Sequence, residues 1–303
     1  MKHRIVLLFF VFLAIAVQAQ KVSFDGYKTI NGVRLYCKVI GEGEPILVIH
    51  GGPGYAHNYF LPYLNTLAKT NKVILYDQRS TGKSDIPKDS LGCSHKNMID
   101  DIEGLRQAFG IQKLNIMAHG WASKLAVNYA LKYPATLKSI IFVSPAPLNH
   151  KWDAYMQKYT TDRKYSAPFL PMEKKVINLP LGNIEVRMRL AFLSVMYKPE
   201  NEEKITLYFP PNFGDKQRAL FAGLSYDNAR YDYDYYPVLN KIKCKVMLIH
   251  GDVDATPMEA EEMLLKSIGN GRLVSMGKSG HFPFIEEEAE FAKQVSGFIK
   301  DLH

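Results

Sequence analysis

The chain has 303 residues, 47% hydrophobic and 22% charged, enough to bury a core in one large or two modest domains, so an intrinsically disordered chain is excluded. Its 21 Gly and 16 Pro show no period, which excludes collagen-like and low-complexity classes. The net charge of +8 comes from 38 Lys and Arg scattered among 30 Asp and Glu, with no basic run interleaved with aromatics, and no nucleic-acid partner is expected.

In chain order, the first residues read as an address label. Lys2 and Arg4 form a charged start, Ile5 to Val17 is an uncharged apolar stretch, and Val17-Gln18-Ala19 has the small-residue spacing of a signal-peptidase site. Thirteen apolar residues fall short of the ~20 that span a bilayer, so the reading is a signal peptide over 1–19, export to the periplasm or medium, and no stable membrane anchor. Cleavage after Ala19 leaves 36 Lys and Arg against 30 Asp and Glu, a charge of +6. Cys37, Cys93 and Cys244 are an odd number without paired spacing, so they form no disulfide framework, and none has a metal-like neighbour.

Asn31-Gly32 separates Val22–Ile30 from an alternating run, Val33 to Ile40, and predicts a hairpin with a primed turn. The runs 45–49, 72–76, 113–117, 139–143 and 245–249 are short and almost continuously apolar, the pattern of parallel strands buried on both faces. Between them Met98, Ile102, Leu105 and Phe109 keep helical spacing, as does Leu125 to Tyr133 before Pro134. Strands alternating with helices predict an α/β fold with helices on both faces of the sheet. The Tyr-, Pro- and charge-rich stretch 147–236 breaks the rhythm, contains helical spacing from Ile184 to Val195, and reads as an inserted helical cap between two core segments, 20–146 and 237–303.

Four motifs follow predicted strands: His50-Gly-Gly-Pro-Gly54, Asp77-Gln-Arg-Ser-Thr-Gly-Lys-Ser84, Gly251-Asp-Val-Asp254 and Ser279-Gly-His281. Together they resemble the α/β-hydrolase fold, and the first two resemble the proline iminopeptidase (prolyl aminopeptidase) family within it, over about Gly26 to Ile299. The resemblance implies a mostly parallel central sheet with an N-terminal hairpin and an inserted cap. In that fold a nucleophile stands on a tight strand-to-helix turn, with acid and base later in the chain. The turn here is Met117-Ala118-His119-Gly120-Trp121-Ala122-Ser123, and the nucleophile position is Gly120. Ala118 and Ala122 keep the turn's small neighbours, and glycine adopts freely a backbone angle that costs other residues ~1–3 kcal/mol. The substitution therefore removes chemistry without threatening the fold.

Asp254 and His281 match the acid and base, each after a strand, and the backbone amides of Gly52 and Trp121 match the oxyanion hole. Ser123, expected nearly one turn inside a helix starting near Trp121, reads as a packing residue, as do His119 beneath the turn and Asp252 in a loop. The family's cap glutamates hold a substrate's α-amine. Glu185, Glu200, Glu202 and Glu203 are the candidates, although solvated surface carboxylates are the default for each. The run from Tyr226 through Tyr231 to Tyr236 brings five aromatics toward the expected return from cap to core.

Three readings compete, in this order. The first is an exported pseudo-hydrolase binding a small peptide or ester-like ligand. The second is an active enzyme whose Asp254–His281 dyad activates water or removes a substrate proton. The third is an ordinary aminopeptidase with an altered residue 120. Ser80, Ala118 and Ser123 also replace glycines of the family pattern, which disfavours a single edit. No cofactor or metal is expected, and the oligomeric state stays open.

Overall fold

The computed structural model describes residues 22–89, 91–180, 182–228 and 233–303. The predicted signal segment, cleavage site and Tyr231 lie outside the described residues. The eight strands are β1 (Val22–Ile30), β2 (Val33–Ile40), β3 (Glu44–Ile49), β4 (Asn71–Tyr76), β5 (Leu114–His119), β6 (Leu137–Val143), β7 (Lys245–Gly251) and β8 (Gly271–Met276). They form one sheet in the order β1-β2-β4-β3-β5-β6-β7-β8. β1, β2 and β4 pair antiparallel, and β4 through β8 run parallel. Asn31 and Gly32, at φ of 47° and 78°, make the tight left-handed turn that joins the first two strands.

The helices are α1 (His95–Ala108), α2 (Ser123–Lys132), α3 (Asp153–Lys164), α4 (Leu170–Ile177), α5 (Asn183–Leu193), α6 (Phe213–Asn228), α7 (Met258–Ile268), α8 (Pro283–Glu286) and α9 (Glu288–Lys300). Successive strand residues point to opposite faces, so the continuous apolar runs feed two cores. Leu47, Ile116, Phe142 and Leu248 pack toward α1, α2 and α7. Val48, Met117, Ile141 and Met247 pack toward α9 and the short turns over 63–69.

Between β6 and β7 the chain leaves the sheet for a helical segment holding α3 to α6. No residue of α3 is buried, so packing against neighbours rather than an internal core holds that helix. The segment is tied down by directed bonds. Tyr159 donates to the Val253 carbonyl (2.7 Å) and Asn58 to that of Thr206, while within the segment Arg163 donates to the carbonyls of Met196 and Tyr197.

Register positions the site. Ile49 pairs with Ala118, His119 with Val143, and Val143 with Ile249, so four parallel strands end level with one another. The loops beginning at His50, Gly120, Ser144 and Asp252 consequently leave the same edge of the sheet, where α/β proteins bind ligands. The three cysteines stand free, Cys37 and Cys93 buried.

Candidate active site

At the end of β5 the chain turns sharply. Gly120 has φ of +54°, a left-handed backbone that glycine takes without strain. Residues 120–122 form a single 3-10 turn, and α2 starts only at Ser123. The expected helix start near Trp121 is therefore two residues early, and Ser123 is the first residue of α2 rather than a turn within it. Its buried hydroxyl donates to the Ala146 carbonyl (3.2 Å), stitching α2 to the loop after β6. As the second residue of a helical turn, Trp121 carries one of the N–H groups that a helix start leaves without an intrahelical acceptor. Gly52, at φ of +135°, brings a second loop amide to the same edge.

Asp254 and His281 meet across β7 and β8. The His281 Nδ1–H donates to both carboxylate oxygens, at 3.0 and 3.1 Å. The Asp254 side chain is fully buried, whereas that of His281 is 22% exposed. Burial pushes the Asp254 carboxyl up, but the charge and hydrogen bond of His281 outweigh it and hold the group at about 2. The other ring nitrogen faces the elbow: a Cβ built on Gly120 would lie 3.1 Å from His281 Nε2. The imidazole is thus oriented to take a proton from a group at that point, where this chain carries no side chain. Asp252, by contrast, is exposed and accepts from the Ser275 hydroxyl.

Behind the turn lies a buried line of polar groups. The Gly51 N–H donates to the Tyr59 hydroxyl (2.6 Å), which pairs with His119 Nδ1 (2.8 Å), and His119 Nε2 bonds the His281 carbonyl (2.9 Å). Burial, reinforced by the charge of His281, drives the His119 imidazole down to about 3, so it is neutral. On its other side the His281 N–H donates to Val195 in the helical segment (2.8 Å). Glu286 completes the clasp: one oxygen accepts from the Tyr197 N–H (2.8 Å) and Asn201 (2.6 Å), the other from the Gly280 N–H (2.7 Å). Gln217 of α6 donates to the Gly54 carbonyl (3.2 Å), and the Phe192 ring stands 4.7 Å from Tyr55 and 4.9 Å from Phe282.

Of the amine-binding candidates, Glu200 and Glu203 are exposed as expected, and Glu202 departs from the solvated default. Glu202 is buried rather than solvated, because Arg189 reaches it from α5 at 2.8 Å. The same guanidinium lies 3.3 Å from Glu185, so one cation is shared between the two carboxylates. Glu203 is exposed and paired with Lys175, Glu200 is exposed, and Tyr226 is 38% exposed on α6. Two grooves, of about 720 and 420 Å³, open elsewhere and are not lined by Gly120, Asp254 or His281. Among the described residues no group of three or more His, Cys, Asp or Glu could hold a metal. Tyr59, Val195, Gln217 and Glu286 carry no sequence motif; only the closeness of Glu286 in sequence to His281 could have pointed to one of them.

A level sheet edge, a tight glycine turn after β5 and a His–Asp pair facing it are arranged as in the α/β-hydrolase fold. The family model for the alpha/beta hydrolase fold matches residues 44–288, and the chain belongs to that family. Among its relatives, the proline iminopeptidase of Heyndrickxia coagulans is 27% identical over 299 residues, covering 92% of this chain and 99% of the relative. That of Saccharolobus solfataricus is 28% identical over 297 residues, covering 92% and 93%. Two solved structures share the fold. An α/β fold family hydrolase from Bacillus anthracis has a TM-score of 0.68 at 21% identity, covering 93% of this chain and all of that one. The 2-hydroxy-6-oxo-6-phenylhexa-2,4-dienoate hydrolase of a Rhodococcus strain has a TM-score of 0.71 at 17% identity, covering 93% and 99%.

Proposed function

We propose that this chain is an exported, proline iminopeptidase-like α/β hydrolase that has lost acyl transfer through a covalent intermediate and binds a small peptide or ester-like ligand in the old cleft. The observation that carries this reading is Gly120 itself. It holds the left-handed turn, with His281 Nε2 3.1 Å from the missing Cβ, so the place for a nucleophile is kept and the hydroxyl is gone. The Gly52 and Trp121 amides, being backbone groups, do not depend on that hydroxyl and remain able to hold a carbonyl oxygen. The names of the relatives make peptides with a free N-terminal proline the first ligands to try. The lysine and arginine before the apolar stretch, and the small residues after it, support export.

The test uses mature protein starting at Gln20. A serine-directed fluorophosphonate should leave it unlabelled, while proline-containing dipeptides or short-chain esters should raise its melting temperature. A ligand at 100 times its Kd contributes about 2.7 kcal/mol. Stoichiometric labelling, or rapid turnover of aminoacyl chromogenic substrates, would overturn the reading. A second reading is favoured by the intact Asp254–His281 bond: direct attack by a water that His281 deprotonates. A slow hydrolysis abolished in His281→Ala would select it. Recovery of exported protein with its N-terminus intact at Met1 would overturn the cleavage assignment.

A further inference from the structure

His281 is usually thought of through its ring, yet in this molecule its main chain is held as closely as its imidazole. The peptide carbonyl accepts from His119 Nε2 at 2.9 Å. His119 is the residue immediately before the elbow, and it is 3% exposed. Its Nδ1 meets the hydroxyl of Tyr59, itself 1% exposed, at 2.8 Å, and that hydroxyl also receives the Gly51 N–H at 2.6 Å. We propose that His119 and Tyr59 are positioning residues: a single directed line of hydrogen bonds that sets the His281 main chain, and through it the dyad, at a fixed height above the Gly51–Gly54 loop.

The donors and acceptors fix the direction of the line. Gly51 can only donate, so the Tyr59 oxygen accepts from it and the Tyr59 proton points to His119 Nδ1. His119 must then be neutral, with its proton on Nε2, and that proton goes to the His281 carbonyl, which can only accept. A protonated His119 would present N–H to Tyr59 and strand the tyrosine proton in a buried site, a costly loss. Surroundings enforce the neutral form: the rings of Phe282, Phe284 and Phe60 stand 5.2, 5.3 and 5.9 Å from the His119 ring, and that of His281 stands 4.7 Å away. Burial, the largest influence, and the nearby His281 both disfavour charge on it. Gly51 also lacks room for a side chain, since a Cβ there would lie 3.0 Å from His119 Nδ1 and 3.4 Å from the Tyr59 oxygen. Gly51 is therefore itself a fitting part of the line.

The inference rests on reading Asp254 and His281 as a retained dyad, and its test reads the geometry of the dyad rather than turnover. In mature protein labelled with ¹⁵N-histidine, long-range proton–nitrogen spectra should show His119 protonated at Nε2 alone throughout pH 5–8. The His281 Nδ1 signal should shift in Tyr59→Phe and in His119→Phe. It should return toward its native position in His119→Gln, whose amide offers both a donor and an acceptor. Phe298→Leu, a buried change in α9 with no contact to the line, should leave it in place. A His119 signal that titrates, or that belongs to the Nδ1–H form, would overturn the proposal. So would a folded Tyr59→Phe with an unmoved His281 signal, or a shift in Phe298→Leu as large as in Tyr59→Phe. If His119→Phe does not fold, Tyr59→Phe, which removes one oxygen atom, decides alone.

Discussion

Two regions hold the candidate site residues, and they are built in different ways. At the sheet edge Gly52, Gly120, Asp254 and His281 are placed by strand register, so their positions depend on main chain. In the helical segment between β6 and β7, Glu185, Glu202 and Arg189 are placed by one another's charges across α5 and the following turn. A side chain lost from the edge leaves its geometry behind. A side chain lost from the segment leaves a partner uncompensated, and where that partner is buried the cost is large.

The sharpest way to break this comparison is to place a hydroxyl at residue 120. If the edge is a backbone construction, Gly120→Ser should fold and gain acyl transfer by on the order of 10²-fold or more over the native chain, a small part of the roughly 10⁶-fold that removing a triad nucleophile costs. The restored serine must accept the left-handed turn at ~1–3 kcal/mol. His281 must also yield by a few tenths of an ångström, because the new Cβ starts 3.1 Å from Nε2. Adding Asp254→Asn should remove nearly all of the gain by leaving the imidazole in the wrong tautomer. Turnover of chromogenic prolyl and ester substrates measures both. A folded Gly120→Ser with neither turnover nor fluorophosphonate labelling would show that the edge has drifted along with its nucleophile.

Glu286 is where the two regions join, and it makes the next largest effect. Its two oxygens accept N–H groups from Tyr197, Asn201 and Gly280, so Glu286→Gln must turn an amide NH₂ toward at least one donor. The expected destabilisation is about 1–3 kcal/mol in chemical denaturation, with His281 moving along with Gly280. An unchanged midpoint would mean that the segment and the edge are held together by apolar contacts such as Phe192 on Phe282.

A buried pair behind Asp254 gives a pH test of the edge. His250 Nδ1 and Glu261 Oε1 lie 3.5 Å apart, both almost fully buried. Burial raises the Glu261 carboxyl to about 7, and the nearby carboxylates of Glu261 and Asp254 raise His250 in spite of its own burial. Both groups hold protons more tightly folded than unfolded, so their contribution is full below their ordinary values and fades as pH rises through about 7. Asp254 has the opposite sign: its contribution is present above its ordinary value and is lost only as pH falls toward about 2. Stability should therefore decline from pH 6 to pH 8, and Glu261→Gln should flatten that slope. A native protein equally stable at both pH values would remove the pair from the account.

The same contrast explains what could be read from residues alone. Continuous apolar runs betray strands buried on both faces, and Asn31-Gly32 betrays its turn, because those signals are local. Gly120 and Asp254 were legible because each follows such a strand, whereas His281 follows β8, a mixed and partly exposed edge strand, and was legible from the Ser279-Gly-His281 motif. Tyr59 was not, since residues 57–69 make three short 3-10 turns with no hydrophobic period. Glu202 was misread for a related reason. Pro199–Lys204 is a charged stretch that looks solvated, and Arg189, on a different helix, makes burial of that carboxylate tolerable. The α2 start was misplaced by two residues because the elbow spends Gly120–Ala122 on a tighter turn.

The smallest expected effect separates the two glutamates that share Arg189. Glu202 is 1% exposed at its side chain, and burial raises its carboxyl while the guanidinium opposes the shift. Replacing it with glutamine removes the charge opposite a half-buried arginine and should cost about 1–3 kcal/mol. Glu185 is 24% exposed and meets Arg189 at 3.3 Å, within one helix and four residues apart. A pair of that kind contributes only about 0.3–0.5 kcal/mol, so Glu185→Gln should shift the denaturation midpoint by no more than that. The order matters for the cleft as well as for stability. If a ligand's ammonium is held in this segment it must compete with Arg189, and it would win more readily at Glu185, the more weakly held carboxylate. Binding of a prolyl dipeptide that weakens in Glu185→Gln, with stability unchanged, would place the amine there. Equal destabilisation by both substitutions would instead mean that Arg189 binds the two carboxylates as one unit, leaving neither for a ligand.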